Sequence, residues 1–429
     1  MIDGGRGRMR KGASRTVVRQ HNERAIIHAL RRHGPSSQSE MAERSGLSVP
    51  AVSSIVRTLT AEGYLHEIRS ESSGVGRPRA IVGIVPDAAF SVGVHIDPAL
   101  MSVVLLDLGG NVVEVRYSSE VHQESPDATL DIAAGLVAEV TAIATTQDRV
   151  AGAGLAVPGR ISQDTGSIVD SVWLPAWNGT PLRDGLAARI GLDVRFLKDT
   201  HAAVTGELWV RGRHLLEGTV VYVYLGIGTG FGIAVDGDVV TGLSGNAGQV
   251  GRIFEELVHR PSQEPDVLAP SGGVDSSHGP TAQDPVELVA TAHRLGVLQG
   301  TPPPRSDLAA IDRAFRELCA RDDGKALLSG AADRIARAAA IASDLLDAQY
   351  LVIGGPYEAL VGSQYRARAT AVLGGSDSMD TPGITLLASA LGSDASAIGA
   401  ASAVWDDELV PRAPAPRRRS PARDDAHTG

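Results

Sequence analysis

VVYVYLGIGTGFGIAVDGDVV, residues 220–240, is the stretch that decides the fold. Its β-branched and aromatic residues form short apolar runs broken by glycines, so it reads as strand, turn, strand, tight glycine turn, strand. The uncharged part of it, residues 218–235, approaches the length of a membrane span. Its five glycines, two threonines, two tyrosines and central turn fit two strands better. Earlier in the chain SVGVHIDPALMSVVLLDLGGNVV, residues 91–113, repeats the plan. Such an echo describes a two-lobed α/β body in which each lobe opens on a β-meander and a ligand lies between the lobes. In the second copy Gly226, Gly228, Thr229 and Gly230 supply flexible backbone whose N–H groups could cradle a phosphate. A purely structural hairpin would use the same glycines.

Outward from that core, 429 residues exceed one domain's usual length of roughly 100 to 200, and 43% hydrophobic content suffices for packed cores. The net charge of −10 hides an asymmetry. Residues 1–80 carry 14 Lys+Arg and 7 Asp+Glu, a net of +7, which leaves −17 for residues 81–429. A basic head on an acidic body suits a head that meets a polyanion. The lone Cys319 cannot form an internal disulfide and reads as a small buried apolar residue, which points to a reducing compartment, the cytoplasm. The basic N-terminus precedes no apolar signal segment, and no membrane partner is expected.

The head carries a helix pair with a mechanism behind it. Residues 22–32 place Ala25, Ile26, Ile27 and Leu30 on one helical face, and Gly34-Pro35 ends that helix. A short helix closed by Gly46 follows, and Leu47 turns into the core. Ser48 can cap a further helix over residues 49–62, with Pro50 tolerated in its first turn. There Val52, Ile55, Val56 and Leu59 point inward, leaving Ser48, Val49, Pro50, Ser53, Ser54 and Arg57 to face a major groove. Residues 64–85 alternate and turn as a wing whose tip carries Arg77 and Arg79, suited to a minor groove or to phosphates. Double-stranded DNA is therefore the expected partner. The expected organisation is a disordered arm over 1–15, a winged helix-turn-helix over 16–83, a two-lobed body over 88–410 and a disordered tail over 411–429, with a long Pro/Ser/Gly-rich loop over 260–285.

Seven stretches of the body, taken with the head and its Gly76-Arg77-Pro78, resemble the ROK family of repressors, open reading frames and kinases, specifically its NagC/Mlc/XylR-type regulators. They are LAVPGRIS (155–162), LPAWNGTPL (174–182), residues 199–207, LGIGTGFG (225–232), GNAGQVG (245–251), VIGG (352–355) and AIGAA (397–401). The resemblance implies an actin/hexokinase-like, duplicated ribonuclease-H-like body, a homodimer or homotetramer, and a sugar-responsive repressor of carbohydrate-related genes. It also implies where kinase chemistry would reside, and there the sequence departs. The Asn-Asp pair of family kinases reads Lys198-Asp199, so the base survives as Asp199, either a relic or a hydroxyl acceptor, without its neighbour. Trp173 replaces the sugar-contacting Asn, and Gln249 and Arg252 replace the Glu and His of the GEIGH motif. The zinc-binding cysteines are missing, so no metal or other cofactor is implied. The first phosphate motif reads Asp97-Pro98-Ala99-Leu100 and lacks the glycines needed for close approach to ATP.

These departures make an effector site of Trp173, Lys198, Asp199, His201, Gln249 and Arg252 the expectation, with no phosphotransfer. Lys198, His201 and Arg252 would add positive charge at the cleft, favouring a sugar phosphate or sugar acid over a neutral sugar, unless they are surface residues or Lys198 pairs with Asp199. An active sugar kinase with an appended DNA-binding head is the alternative, and a regulator that answers to a partner protein is a third.

Overall fold

The computed structural model describes residues 15–69, 80–143, 149–212, 215, 217–258, 282–374 and 383–405. The arm up to residue 14, the wing tip, most of the 260–285 loop and the tail from 406 lie outside the described residues.

In the head, α1 (Arg15–His33) begins well before Asn22, with Arg19 paired to Glu23 one turn on at 2.6 Å. β1 (Ser36–Ser37) leads into α2 (Gln38–Ser45), which opens on a capping box: Ser37 Oγ accepts from Glu40 N, and Glu40 Oε2 accepts from Ser37 N. Gly46, at φ +68°, closes α2 in the left-handed conformation. α3 (Val49–Ala61) follows, then β2 (Leu65–Arg69) and β3 (Ala80–Ile84), which pair antiparallel. The head's apolar cluster includes Ile26, Leu30, Val52 and Leu59 and continues into the body through Leu108, Ala151 and Trp405. Arg31 marks that junction. Its guanidinium carbon lies 4.6 Å from the Trp209 ring centroid and 5.0 Å from that of Trp405, and its Nε donates to the Leu108 carbonyl.

The first lobe is a five-stranded sheet. β4 (Phe90–Asp97), β5 (Leu100–Asp107) and β6 (Val112–Ser118) form an antiparallel meander. After α4 (Pro126–Thr141), β7 (Val150–Val157) lies parallel to β4. The hairpin of β8 (Arg160–Ser162) and β9 (Ser167–Asp170) and then α5 (Leu182–Ile190) lead to β10 (Val194–Lys198), giving the order β10-β7-β4-β5-β6. α6 (Asp199–Arg211) crosses to the second lobe.

There β11 (Thr219–Leu225), β12 (Thr229–Val235) and β13 (Asp238–Val239) form a second antiparallel meander. α7 (Gly251–Val258), α8 (Pro285–Arg294), α9 (Leu308–Cys319) and α10 (Lys325–Leu346) precede β14 (Tyr350–Gly354). α11 (Glu358–Gly374), β15 (Thr385–Ala388) and α12 (Ala395–Val404) complete the lobe. The order β13-β12-β11-β14-β15 repeats that of the first sheet, third-second-first-fourth-fifth, so the duplication is topological as well as sequential. The expected α/β architecture, a winged head on a duplicated ribonuclease-H-like body, is the observed one.

α6 and α12 join the lobes. α12 lies on β4 and β7 where glycines admit it, since a Cβ on Gly93 would fall 1.8 Å from the Ala397 oxygen and one on Gly154 2.0 Å from that of Ala400. Among the described residues no helix is long and apolar enough to cross a membrane, and residues 218–235 are β11 and β12.

Candidate functional site

The interlobe cleft is built from strand and helix ends. The β4–β5 turn brings Asp97, the link from β7 to β8 brings Gly159 and Arg160, and the end of β9 brings Asp170 and Trp173. Lys198 and Asp199 come from the β10–α6 junction, and the β11–β12 turn and residues 248–251 face them across a cavity of about 140 Å³. Asp199 is buried at the first position of α6, its Oδ1 accepting from Thr200 N at 2.7 Å. Burial pushes its pKa up, against the lowering effect of Lys198. Asp97 is pushed up to about 7, because burial and the neighbouring Asp199 and Asp312 charges outweigh its backbone hydrogen bonds. Burial lowers Lys198, and its ammonium donates to the Gly159 carbonyl at 3.0 Å rather than forming a close ion pair with Asp199. At the back of the cleft Tyr224 Oη lies 3.2 Å from His95 Nε2, a ring that burial holds neutral with a pKa near 3.

Both turns that could receive phosphate have their own occupants. In the first, Ala99 N donates to Asp97 Oδ1 at 3.0 Å. In the second, Thr229 N donates to the buried Asp284 Oδ1 at 3.1 Å, and Gly226 N donates to the Gly228 carbonyl. Trp173 packs against the apolar cores of both lobes, and a Cβ on Gly228 would fall 2.7 Å from its Nε1.

Of the residues singled out in sequence, Trp173, Lys198, Asp199, Gln249, Gly228, Thr229 and Gly230 line this cleft, whereas Gly226 does not. His201 lies in an adjoining cavity with Nε2 3.0 Å from the Ala247 carbonyl, and burial lowers its pKa to about 4. The structure does not bring Arg252 to the cleft: Gly251 and the buried Phe254 are the face of α7 that lines it, and the exposed Arg252 between them turns away. Sequence reasoning missed Asp284, Arg160 and Asp170. Asp284 had a signal, an aspartate directly before Pro285 at a helix start, but that pair was absorbed into the long loop. Among the described residues no group of three or more His, Cys, Asp or Glu side chains is arranged to hold a metal ion.

On the head, Ser48, Val49, Pro50, Ser53, Ser54 and Arg57 are all exposed, opposite the buried Val52, Ile55, Val56 and Leu59. Ser48 occupies the capping position with extended backbone but makes no side-chain cap hydrogen bond; its carbonyl accepts from Val52 N instead. Arg77 and Arg79 lie outside the described residues.

A winged head and a two-lobed body with a ligand cleft are matched by known families. Residues 19–66 match the winged helix-turn-helix DNA-binding model and residues 92–407 the ROK family model, so the chain belongs to the ROK family. It is similar to the xylose repressor of Bacillus subtilis, 26% identical over 244 residues that cover 56% of this chain and 62% of the repressor. The chain thus spans about three fifths of the length of the curated relatives it matches. Among solved structures, a ROK family transcriptional regulator described as a homologue of the E. coli MLC protein superposes with a TM-score of 0.64 at 18% identity, covering 91% of this chain and 97% of that one. A ROK family glucokinase from Streptomyces griseus, solved with glucose and AMPPNP, superposes with a TM-score of 0.56 at 20% identity over 73% and 99% of the two chains.

Proposed function

We propose that the protein is a DNA-binding transcriptional repressor of carbohydrate-related genes, acting in the cytoplasm as a homo-oligomer, with the kinase-like cleft serving as effector site. The observation that carries this reading is the exposed outer face of α3, where Ser53, Ser54 and Arg57 stand clear of the head's core at the position of a groove-reading helix. The similarity to the xylose repressor supports it. The head is to bind a near-palindromic duplex, with half-sites spaced by whole helical turns. Replacing both Arg77 and Arg79 with Ala is expected to weaken binding and lower the salt slope by about 2, each phosphate contact contributing about 0.9. Unchanged affinity and slope would remove the wing from the interface.

The cleft argues against a kinase, because two carboxylates of the protein already hold turn amides that a nucleotide's phosphates would need. It also revises the expected effector. Asp170, Asp199 and Asp284 face Arg160 and Lys198 across it, Asp97 adds a hydrogen-bonding carboxyl and Arg252 is absent, so the cleft has no surplus of cations and a neutral sugar fits better than a sugar phosphate or sugar acid. Asp199, the buried acceptor at the cleft's centre, receives a sugar hydroxyl. Calorimetry against neutral sugars and their phosphates tests this: a neutral sugar is expected to bind, with Asp199→Asn weakening it at least about tenfold, the worth of one charge-assisted hydrogen bond. Tighter binding of the phosphorylated form at this site would refute it.

α6 starts at Asp199 in the cleft and carries Trp209 against Arg31 of the head, so one helix runs from the cleft to the head. Along it the state of the cleft is to reach the head. Arg31→Ala is expected to leave sugar affinity unchanged while abolishing the effect of sugar on DNA affinity.

A further inference from the structure

On the far side of Lys198 lies a larger cavity of about 570 Å³, within the roughly 300–1,000 Å³ range of small-molecule sites. Its ionisable lining is mainly basic, whereas that of the cleft is mainly carboxyl. Arg160, Arg195 and Lys198 line it, and its one carboxylate, Asp164, is exposed. Arg160 is half-buried and makes no side-chain hydrogen bond or ion pair among the described residues. Lys198 is buried, with the Gly159 carbonyl as its one hydrogen-bond partner among the described residues, so its remaining ammonium hydrogens are unmatched. Both cations belong to the first lobe. The facing wall is the second lobe's loop 241–246, stitched to β8 by Asn246, whose Oδ1 accepts from Ile161 N at 2.7 Å and whose Nδ2 donates to the Ile161 carbonyl at 2.8 Å. This is a two-walled, polar cavity that spans the lobes, sharing with the cleft only the Arg160–Lys198 partition.

We propose that this cavity is a second effector site, for a small organic anion bearing a phosphate or carboxylate, with Arg160 and Lys198 as the groups that hold it. A guanidinium presents two parallel donors to such a group, and the Lys198 ammonium adds a third donor from the same wall. An anion there sits beside the lysine that flanks Asp199 and bridges the two lobes, so it acts on the cleft without entering it. The proposal does not depend on the sugar assignment of the cleft, which Asp199→Asn tests separately.

The experiment is titration calorimetry on the full chain with glucose 6-phosphate, gluconate and inorganic phosphate, each up to millimolar concentration, alongside glucose. At least one of the two organic anions is expected to bind saturably. Arg160→Ala should weaken it at least about tenfold, the loss of one charge-assisted pair. Thr241→Glu, an exposed loop change that adds a carboxylate to this cavity alone, should weaken it comparably without touching the cleft. Asp199→Asn should leave it unchanged. Thermal melts confirm that each variant is folded, and Thr241→Glu carries the test if Arg160→Ala does not fold. No saturable binding by either organic anion, or binding that Thr241→Glu leaves intact while Asp199→Asn abolishes it, would overturn the proposal. If only inorganic phosphate binds, the site is a simple ion site and the proposal fails equally.

Discussion

The two lobes place equivalent turns at the mouth of one cleft, and the turns could hardly differ more in sequence. Between β4 and β5 the chain reads Asp97-Pro98-Ala99-Leu100; between β11 and β12 it reads Gly226-Ile227-Gly228-Thr229. The first looks closed to a phosphate and the second open. In the folded protein both are occupied: Ala99 N is held by Asp97 within its own turn, and Thr229 N by Asp284 from the start of α8. A glycine-rich turn is thus permission for a ligand to approach, and what approaches is decided by the rest of the fold. Here a carboxylate of the protein has taken the second cradle, and Trp173 lies over its glycine.

The largest expected effect comes from the first turn. Folded Asp97 keeps its proton up to about pH 7, whereas in the unfolded chain it releases it near pH 4. Its contribution to stability is therefore fully present below pH 4, falls as pH rises, and is lost above 7. Asp97→Asn removes that dependence and keeps an acceptor for Ala99 N. Urea denaturation should show the variant gaining on the parent as pH rises from about 4 to 8, by at most about 4 kcal/mol, given 1.36 kcal/mol per pKa unit. An identical pH profile would show that Asp97 titrates alike in the folded and unfolded chains, which would contradict its burial at the cleft.

Next in size is Asp284→Ala, which leaves Thr229 N without its acceptor. Stability should fall by about 1–3 kcal/mol, the cost of an unmet buried polar group. If the denaturation midpoint does not move, the second turn is held by its glycines alone, and the contrast with the first turn returns. The smallest effect is expected from restoring glycines to the first turn. Pro98→Gly with Ala99→Gly should cost about 1–2 kcal/mol in chain entropy, at 0.5–1 per glycine, and should yield no ADP release from ATP and sugar in a coupled assay. Turnover by this variant would mean that glycine content was the missing element after all.

How much of this was legible beforehand follows from the range of the forces involved. The internal echo led to two meanders with the same strand order, because alternation and tight turns are local. The outer face of α3 was readable for the same reason: Val52, Ile55, Val56 and Leu59 recur at helical spacing and leave the remainder exposed. Arg252 stayed open between cleft and surface because its placement depends on where α7 starts and which side Phe254 takes, and neither is visible in a motif. Asp284 lies more than fifty positions from the amide it holds, and Arg31 is pinned by Trp209 from mid-chain and Trp405 from near the far end. Such pairings follow from tertiary closure and have no periodic trace. Family resemblance identified the cleft residues Trp173, Asp199 and Gln249, but not the carboxyls Asp97, Asp170 and Asp284 that join Asp199 there.

The claim on which the rest depends is that the head reads DNA. Selection of a random duplex library by the full chain, with the enriched motif then measured by anisotropy in the presence and absence of the neutral sugar that binds the cleft, tests it most directly. The expected result is a two-fold symmetric motif whose half-sites lie whole helical turns apart, bound more weakly when the sugar is added and with relaxed sequence preference in Arg57→Ala. No sequence enriched above the starting library would contradict it.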